Sequence, residues 1–135
     1  VRHRRAHLTR AVLEGVAFGL RDCFDLVRQA GPNDVREVRI SGGGARGALW
    51  AGILASVLET DLVRVLASEG AASGAALLAG VGAGNWPDVP SACAGIARAG
   101  AFHPRSEDSA VYRQLQPEYR AIYEALTPTF ARLSG

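Results

Sequence analysis

The stretch Val35-Arg-Glu-Val-Arg-Ile-Ser-Gly-Gly-Gly-Ala-Arg46 changes character at its middle, from alternating apolar and charged residues to consecutive glycines. Val38 and Ile40 stand two apart, which predicts a short strand over Val35 to Ser41 that opens into Gly42, Gly43, Gly44 and Ala45. From Arg46 to Leu58 the period changes, and Leu49, Trp50, Ile53, Leu54, Val57 and Leu58 form the apolar side of a helix. Leu62 to Leu66 is a second strand candidate. Strand, glycine turn, helix and strand in that order make a right-handed βαβ unit with a parallel pair.

Upstream of this unit, Leu8, Ala11, Val12, Val16, Gly19, Leu20, Cys23 and Val27 follow helical spacing, with Arg10, Glu14, Arg21, Asp22 and Asp25 between them. A long amphipathic helix is expected to end near Ala30, with Gly31 in a left-handed cap and Pro32 blocking continuation. Downstream, Gly70 to Gly84 is rich in small residues. Its Ala71, Ala75, Leu78 and Val81 suit a helix whose neighbours approach its backbone closely. A loop at Asn85 to Pro90, a short helix over Val89 to Ala99, and helical segments from Asp108 to Leu133 broken before Pro117 and Pro128 complete the reading.

Apolar residues make up 48% of the 135 and charged residues 21%, a balance that a globular chain with a real core would have. Every fixed positive charge is an arginine, and the net charge of +2 is dispersed except at Arg2, Arg4 and Arg5. Nucleic acid is therefore not an expected partner, because its binders concentrate basic charge on one face. No apolar run reaches a membrane span and no secretory leader is visible, which makes a cytoplasmic chain the expectation. The valine start and the absence of methionine suggest a piece of something longer. Cys23 and Cys93 have no metal-ligand spacing and read as reduced, mostly buried thiols.

Glycines at a strand-to-helix turn allow positive φ and close approach of a ligand, while a helix start offers unpaired N–H groups and the positive end of its dipole. Such a turn can cradle a nucleotide, or it can merely let helix and strand pack. No GK[ST] follows, so it is not a Walker loop.

Three separated runs carry a resemblance: His7 to Asp22, then Ile40 to Arg46 with Leu49-Trp50, Ile53 to Ala55 and Val57-Leu58, then Glu69 to Ala79. In that order they are similar to the end of FGGY carbohydrate kinases, xylulokinases in particular. The resemblance implies an α/β, actin-like or ribonuclease-H-like ATPase fold. Residues 1–135 would be the C-terminal, nucleotide-side portion of its second domain, helix-rich, without the N-terminal sugar-binding domain. It implies ATP and Mg2+ as cofactors, with ATP/ADP and a sugar as partners, the sugar held mainly by the missing part, and it leaves a homodimer open. The implied activity is phosphorylation of D-xylulose. Another pentulose, a hexulose, gluconate or glycerol is the alternative substrate. A non-catalytic nucleotide module or a structural partner domain is the alternative role.

The family's adenosine motif falls on Gly42, Gly43, Gly44, Ala45 and Arg46, with Gly47 where xylulokinases usually carry a polar residue such as serine. Gly52 and Ser56 depart from the pattern too, Ser56 standing in place of an aspartate. The resemblance puts the catalytic aspartate and the phosphate loop upstream, so no catalytic residue is expected here. Asp22, Asp25, Asp34, Asp61, Asp88 and Asp108 read as helix, cap or surface charges, His3, His7 and His103 as surface or structural residues, and Glu14 as the ion-pair partner of Arg10 or another arginine.

Overall fold

The computed structural model describes residues 3–31, 35, 37–66 and 70–133. Arg2, Pro32, Asp34, Arg36 and Glu69, on which some of the readings above fall, lie outside the described residues. The elements in chain order are α1 (Arg5–Ala30), β1 (Glu37–Ile40), a 3-10 turn at Gly44–Arg46, α2 (Ala48–Leu58), β2 (Asp61–Val65), α3 (Gly70–Gly82), α4 (Val89–Ala94), β3 (Arg98–Phe102) and α5 (Ser106–Leu133).

The expected parallel pair is present: β1 lies beside β2 with Val38 opposite Leu62 and Ile40 opposite Arg64. A third strand, β3, pairs antiparallel with β2, so the sheet order is β1-β2-β3. Composition hides β3, because Arg98-Ala-Gly-Ala-Phe102 lacks the β-branched residues of a strand. Its neighbour fixes it instead, as Arg64 Nη2 donates to the Ala99 carbonyl at 3.0 Å and Leu66 N–H to that of Ala97 at 2.9 Å. The helix expected over Val89 to Ala99 is correspondingly shorter. It is capped by Asp88, whose carboxylate accepts from the Ser91 N–H at 2.8 Å; hydrogen bonding from the Ser91 side chain, and then from this N–H, holds the Asp88 pKa below its ordinary value.

The core joins α1, α2, β2 and α5: Ala17, Phe18, Ile53, Leu54, Val57, Leu58, Leu62 and Tyr112 are buried, with Val38, Ile40, Trp50, Phe102 and Tyr119 packed against them. α2 is buried on almost every side, although Leu49 of its expected apolar face is exposed. It ends at Glu59, which takes a left-handed φ of 53° and pairs with Arg21 and Arg113.

Five expectations need correction. α1 buries Ala17 and Phe18, flanked by Leu13 and Phe24, whereas the stripe of Leu8, Val12, Val16, Leu20 and Val27 faces outward. α1 is apolar on two sides, and the side with aromatic rings is the one that packs on α2 and α5. Cys23 lies on the outward side and is exposed, while Cys93 is half-buried. Gly31 is extended, at φ −135° and ψ −152°, instead of left-handed, because a residue before proline is driven to that region. α5 runs unbroken through Pro117 and Pro128. In α3, moreover, the close approaches are at Gly70 and Gly80, where a Cβ would collide with Ser41 Oγ and with the Trp86 ring, and Ala71, Ala75 and Leu78 are exposed.

Candidate nucleotide-binding turn

The turn leaves the C-terminal end of β1 through Ser41 and Gly42. Gly42 has φ +78°, a conformation that side chains rarely adopt, so this glycine bends the chain away from the sheet. Gly43 is right-handed at φ −62° and ψ −40°, and Gly44 begins the 3-10 turn without a positive φ. Only the first of the three glycines therefore needs the freedom that the sequence suggested for all of them. Arg46 N–H bonds the Gly43 carbonyl at 3.2 Å and Gly47 N–H that of Gly44 at 3.3 Å, which closes the turn on itself.

The residues expected to meet the nucleotide, Gly42, Gly43, Gly44, Ala45 and Gly47, divide by what surrounds them. Around Gly43 the position of a Cβ meets nothing within 4 Å, and the same is true of Gly42. That side of the turn is open. Behind Gly44 stands Trp50, whose Nε1 would lie 3.5 Å from a Cβ there. The Ala45 methyl is buried and anchors the turn to the core side. Gly47 is the N-cap of α2 and provides no side-chain cap. A Cβ on Gly47 would rest 3.8 Å from the Gly44 carbonyl, so a serine would fit and supply the missing acceptor.

Among the described residues the N–H groups of Gly43 and Gly44 have no hydrogen-bond acceptor. They are exposed donors beside the start of α2, the kind of arrangement that receives anionic or polar ligand atoms. Two further residues complete this end of the sheet, and spacing in the sequence did not reveal either. Ser41 packs so closely on Gly70 that a Cβ on Gly70 would collide with its Oγ, which sets the beginning of α3 against the beginning of the turn. Parallel strands β1 and β2 thus send both following helices from one edge, where α/β sheets place their ligands.

The described aspartates, with Glu14 and Glu59, are engaged elsewhere. Asp22 accepts from Gln116 Nε2 at 2.7 Å and pairs with Arg120; Asp25 pairs with Arg21 at 2.9 Å and with Arg120 at 3.2 Å. Asp61 meets His103 at 2.9 Å and Asp108 meets Arg105 at 3.4 Å. Glu14 pairs with Arg10 at 2.7 Å, as expected, and also accepts from the Tyr112 hydroxyl at 2.9 Å. The bond to Glu14, and then the bond that Arg10 Nη2 donates to the Tyr112 hydroxyl at 2.9 Å, raise the Arg10 pKa. Ser56 is fully buried with its Oγ accepting the Arg105 N–H at 3.1 Å, which gives it a structural role at the start of α5. His7 Nδ1 accepts the Arg4 N–H at 3.1 Å and caps α1.

A family model described as the FGGY family of carbohydrate kinases, C-terminal domain, matches residues 1–83. The chain belongs to this family. It is 36% identical over 123 residues to the xylulose kinase of Bacillus subtilis, a match that covers 90% of this chain and 24% of that enzyme. The glycerol kinase of Myxococcus xanthus is 36% identical over 121 residues, covering 89% of this chain and 24% of its own length. Among solved structures, the xylulose kinase from Rhodospirillum rubrum superimposes with a TM-score of 0.81 at 31% identity, covering 97% of this chain and 27% of that one. The fold is that of the C-terminal domain of a sugar kinase, and the chain spans about a quarter of the length of these relatives.

Proposed function

We propose that this FGGY chain is the nucleotide-side portion of an ATP-dependent kinase that phosphorylates a pentulose, D-xylulose before the other candidates. The observation that carries the nucleotide part is the open turn, in which Gly43 and Gly44 expose unpaired N–H groups beside the start of α2. Similarity to xylulose kinases in both sequence and fold supports the sugar, with glycerol as the next substrate to try.

In this reading ATP supplies the phosphoryl group, and this chain orients the nucleoside end. Gly42 turns the backbone out of the ligand's path, Gly43 and Gly44 donate N–H groups, and Trp50 supports the turn from behind. The described residues bring together no group of three or more His, Cys, Asp or Glu that could hold a metal, so no residue here is assigned to Mg2+. The base that activates the sugar hydroxyl belongs to the remainder of the kinase, since phosphoryl transfer depends on placing such a base in line with the phosphate.

The test is Gly43→Val in the full-length kinase. Its backbone is right-handed and its Cβ would enter empty space, so the substitution leaves packing intact. The expected result is a Michaelis constant for ATP raised about tenfold or more, against less than about twofold for D-xylulose. Unchanged constants for ATP would reduce the turn to a packing device. Turnover with glycerol or gluconate in preference to D-xylulose would reassign the sugar while leaving the nucleotide site in place.

A further inference from the structure

A cavity of about 180 Å³ opens between α1, the end of α2 and α5, and Arg21, Arg113 and Arg120 line it together with Asp25, Tyr112 and Gln116. It adjoins Val57, whereas the glycine turn precedes Ala48, so roughly 14 Å of α2 lies between the two at 1.5 Å per residue. The cavity is therefore no part of the turn.

Its wall carries three arginines against one carboxylate, Asp25, among the described residues. Each arginine is already fixed in place. Arg21 pairs with Asp25 at 2.9 Å and donates to the Val57 carbonyl, Arg113 pairs with Glu59 at 3.0 Å, and Arg120 pairs with Asp25 at 3.2 Å and with Asp22. Glu59 and Asp22 do not line the cavity, so they hold the cations from outside without facing them from within. A guanidinium has five N–H donors in a planar fork, and these bonds leave each of the three with donors to spare.

Gln116 brings the opposite need. Its Nε2 donates to the Phe18 carbonyl at 3.3 Å and to Asp22 at 2.7 Å, which fixes the orientation of the amide and leaves Oε1 buried without a donor. The Tyr112 hydroxyl is committed to Arg10 and Glu14, so Tyr112 gives this wall only its ring.

We propose that the cavity binds a phosphate monoester of a small polyol, with the phosphate among Arg21, Arg113 and Arg120 and a hydroxyl directed to Gln116 Oε1. The three outer oxygens of a phosphate dianion suit three forks that converge from two helices, whereas a carboxylate offers two oxygens in one plane. The hydroxyl is the donor that Gln116 lacks. No residue of the glycine turn takes part, so the site stands apart from the kinase reading above.

Isothermal titration calorimetry of the full-length kinase with D-ribose 5-phosphate tests the site. The expected result is binding whose Kd rises about tenfold or more in Arg113→Gln and in Arg120→Gln, as loss of a charge-assisted bond requires, and stays unchanged in Gly43→Val. Arg113 is 63% exposed and Glu59 keeps Arg21 as a partner without it, so the fold should survive the change, as far-ultraviolet circular dichroism would verify. Arg113→Lys, which keeps the charge but loses the fork, is the second variant and should weaken binding about threefold or more.

Three outcomes overturn the proposal. One is a wild-type protein that binds no ester at millimolar concentration. Another is binding that Gly43→Val abolishes and the arginine variants leave intact, which would put the ester at the nucleotide turn. The third is inorganic phosphate bound as tightly as the ester, which would remove the hydroxyl from the ligand. A protein that binds the ester through its arginines yet phosphorylates no sugar keeps this site and removes the kinase reading.

Discussion

Tyr112 holds its hydroxyl between two charges: it accepts from Arg10 Nη2 at 2.9 Å and donates to Glu14 Oε1 at 2.9 Å. Burial raises its pKa, and the bond to Glu14 raises it further, while Arg10 opposes in part. The folded state therefore holds the phenolic proton more tightly than the unfolded chain does. Its contribution is complete below the unfolded value near 10 and is lost as pH rises through the higher folded value. Tyr112→Phe keeps the ring against Phe18 but removes both bonds, at a cost of about 1 kcal/mol at neutral pH. Urea unfolding of the full protein should show that cost and a flatter loss of stability above about pH 10 in the variant. An identical alkaline decline in both proteins would assign the titration to another group. Sequence spacing exposed half of this cluster, because Arg10 and Glu14 are one helical turn apart, whereas Tyr112 comes from 98 residues away. The same division holds at the turn: Gly42 to Gly47 could be read from a strand-to-helix transition, but Ser41 against Gly70 is a contact of the folded chain only.

At the level of elements, α5 is where local rules and tertiary structure disagree most. Pro117 removes the N–H that the Arg113 carbonyl would accept and disfavours a helical residue before it, which is why a break was expected there. The helix continues because its two flanking turns are tied to α1. Tyr112 and Tyr119 rings lie 5.8 and 5.4 Å from that of Phe18, and Gln116 Nε2 donates to the Phe18 carbonyl at 3.3 Å. Arg120 then joins Asp22 and Asp25. β3 gives the converse case, a strand of weak local preference held by its neighbours, while α1, α2, β1 and β2 were legible because their apolar periods are long or their boundaries are marked by glycine. Since contacts with α1 override the proline, Pro117→Ala should restore a backbone hydrogen bond without dislodging the ring contacts. The expected gain is about 1 to 3 kcal/mol in denaturant unfolding of the full protein. A loss instead would mean that the contact of the Tyr119 ring with Phe18 depends on Pro117.

For the whole molecule, the question is whether residues 1–135 can turn over a sugar unaided. The turn can offer N–H groups to a nucleotide, yet phosphoryl transfer also needs a carboxylate free to take the hydroxyl proton of the acceptor. Asp22, Asp25, Asp61, Asp88 and Asp108 are each bonded to a side chain or a cap, and none of these bonds belongs to the glycine turn. Glu14 and Glu59 are held by arginines in the same way, while Glu107, Glu118 and Glu124, which carry no such bond, lie on α5 and not on the glycine turn. Asp22, Asp25, Glu14 and Glu59 join α1, α2 and α5, so releasing one of these as a base would loosen that packing. The isolated chain should therefore show no sugar-dependent ATP turnover above background in a coupled assay with D-xylulose, glycerol or gluconate. Nucleotide binding by equilibrium dialysis is the companion measurement, because binding without turnover is what a turn without a base would give. Turnover by the purified chain that disappears on Asp61→Asn, the most exposed of the ion-paired carboxylates, would show that a base is present here after all.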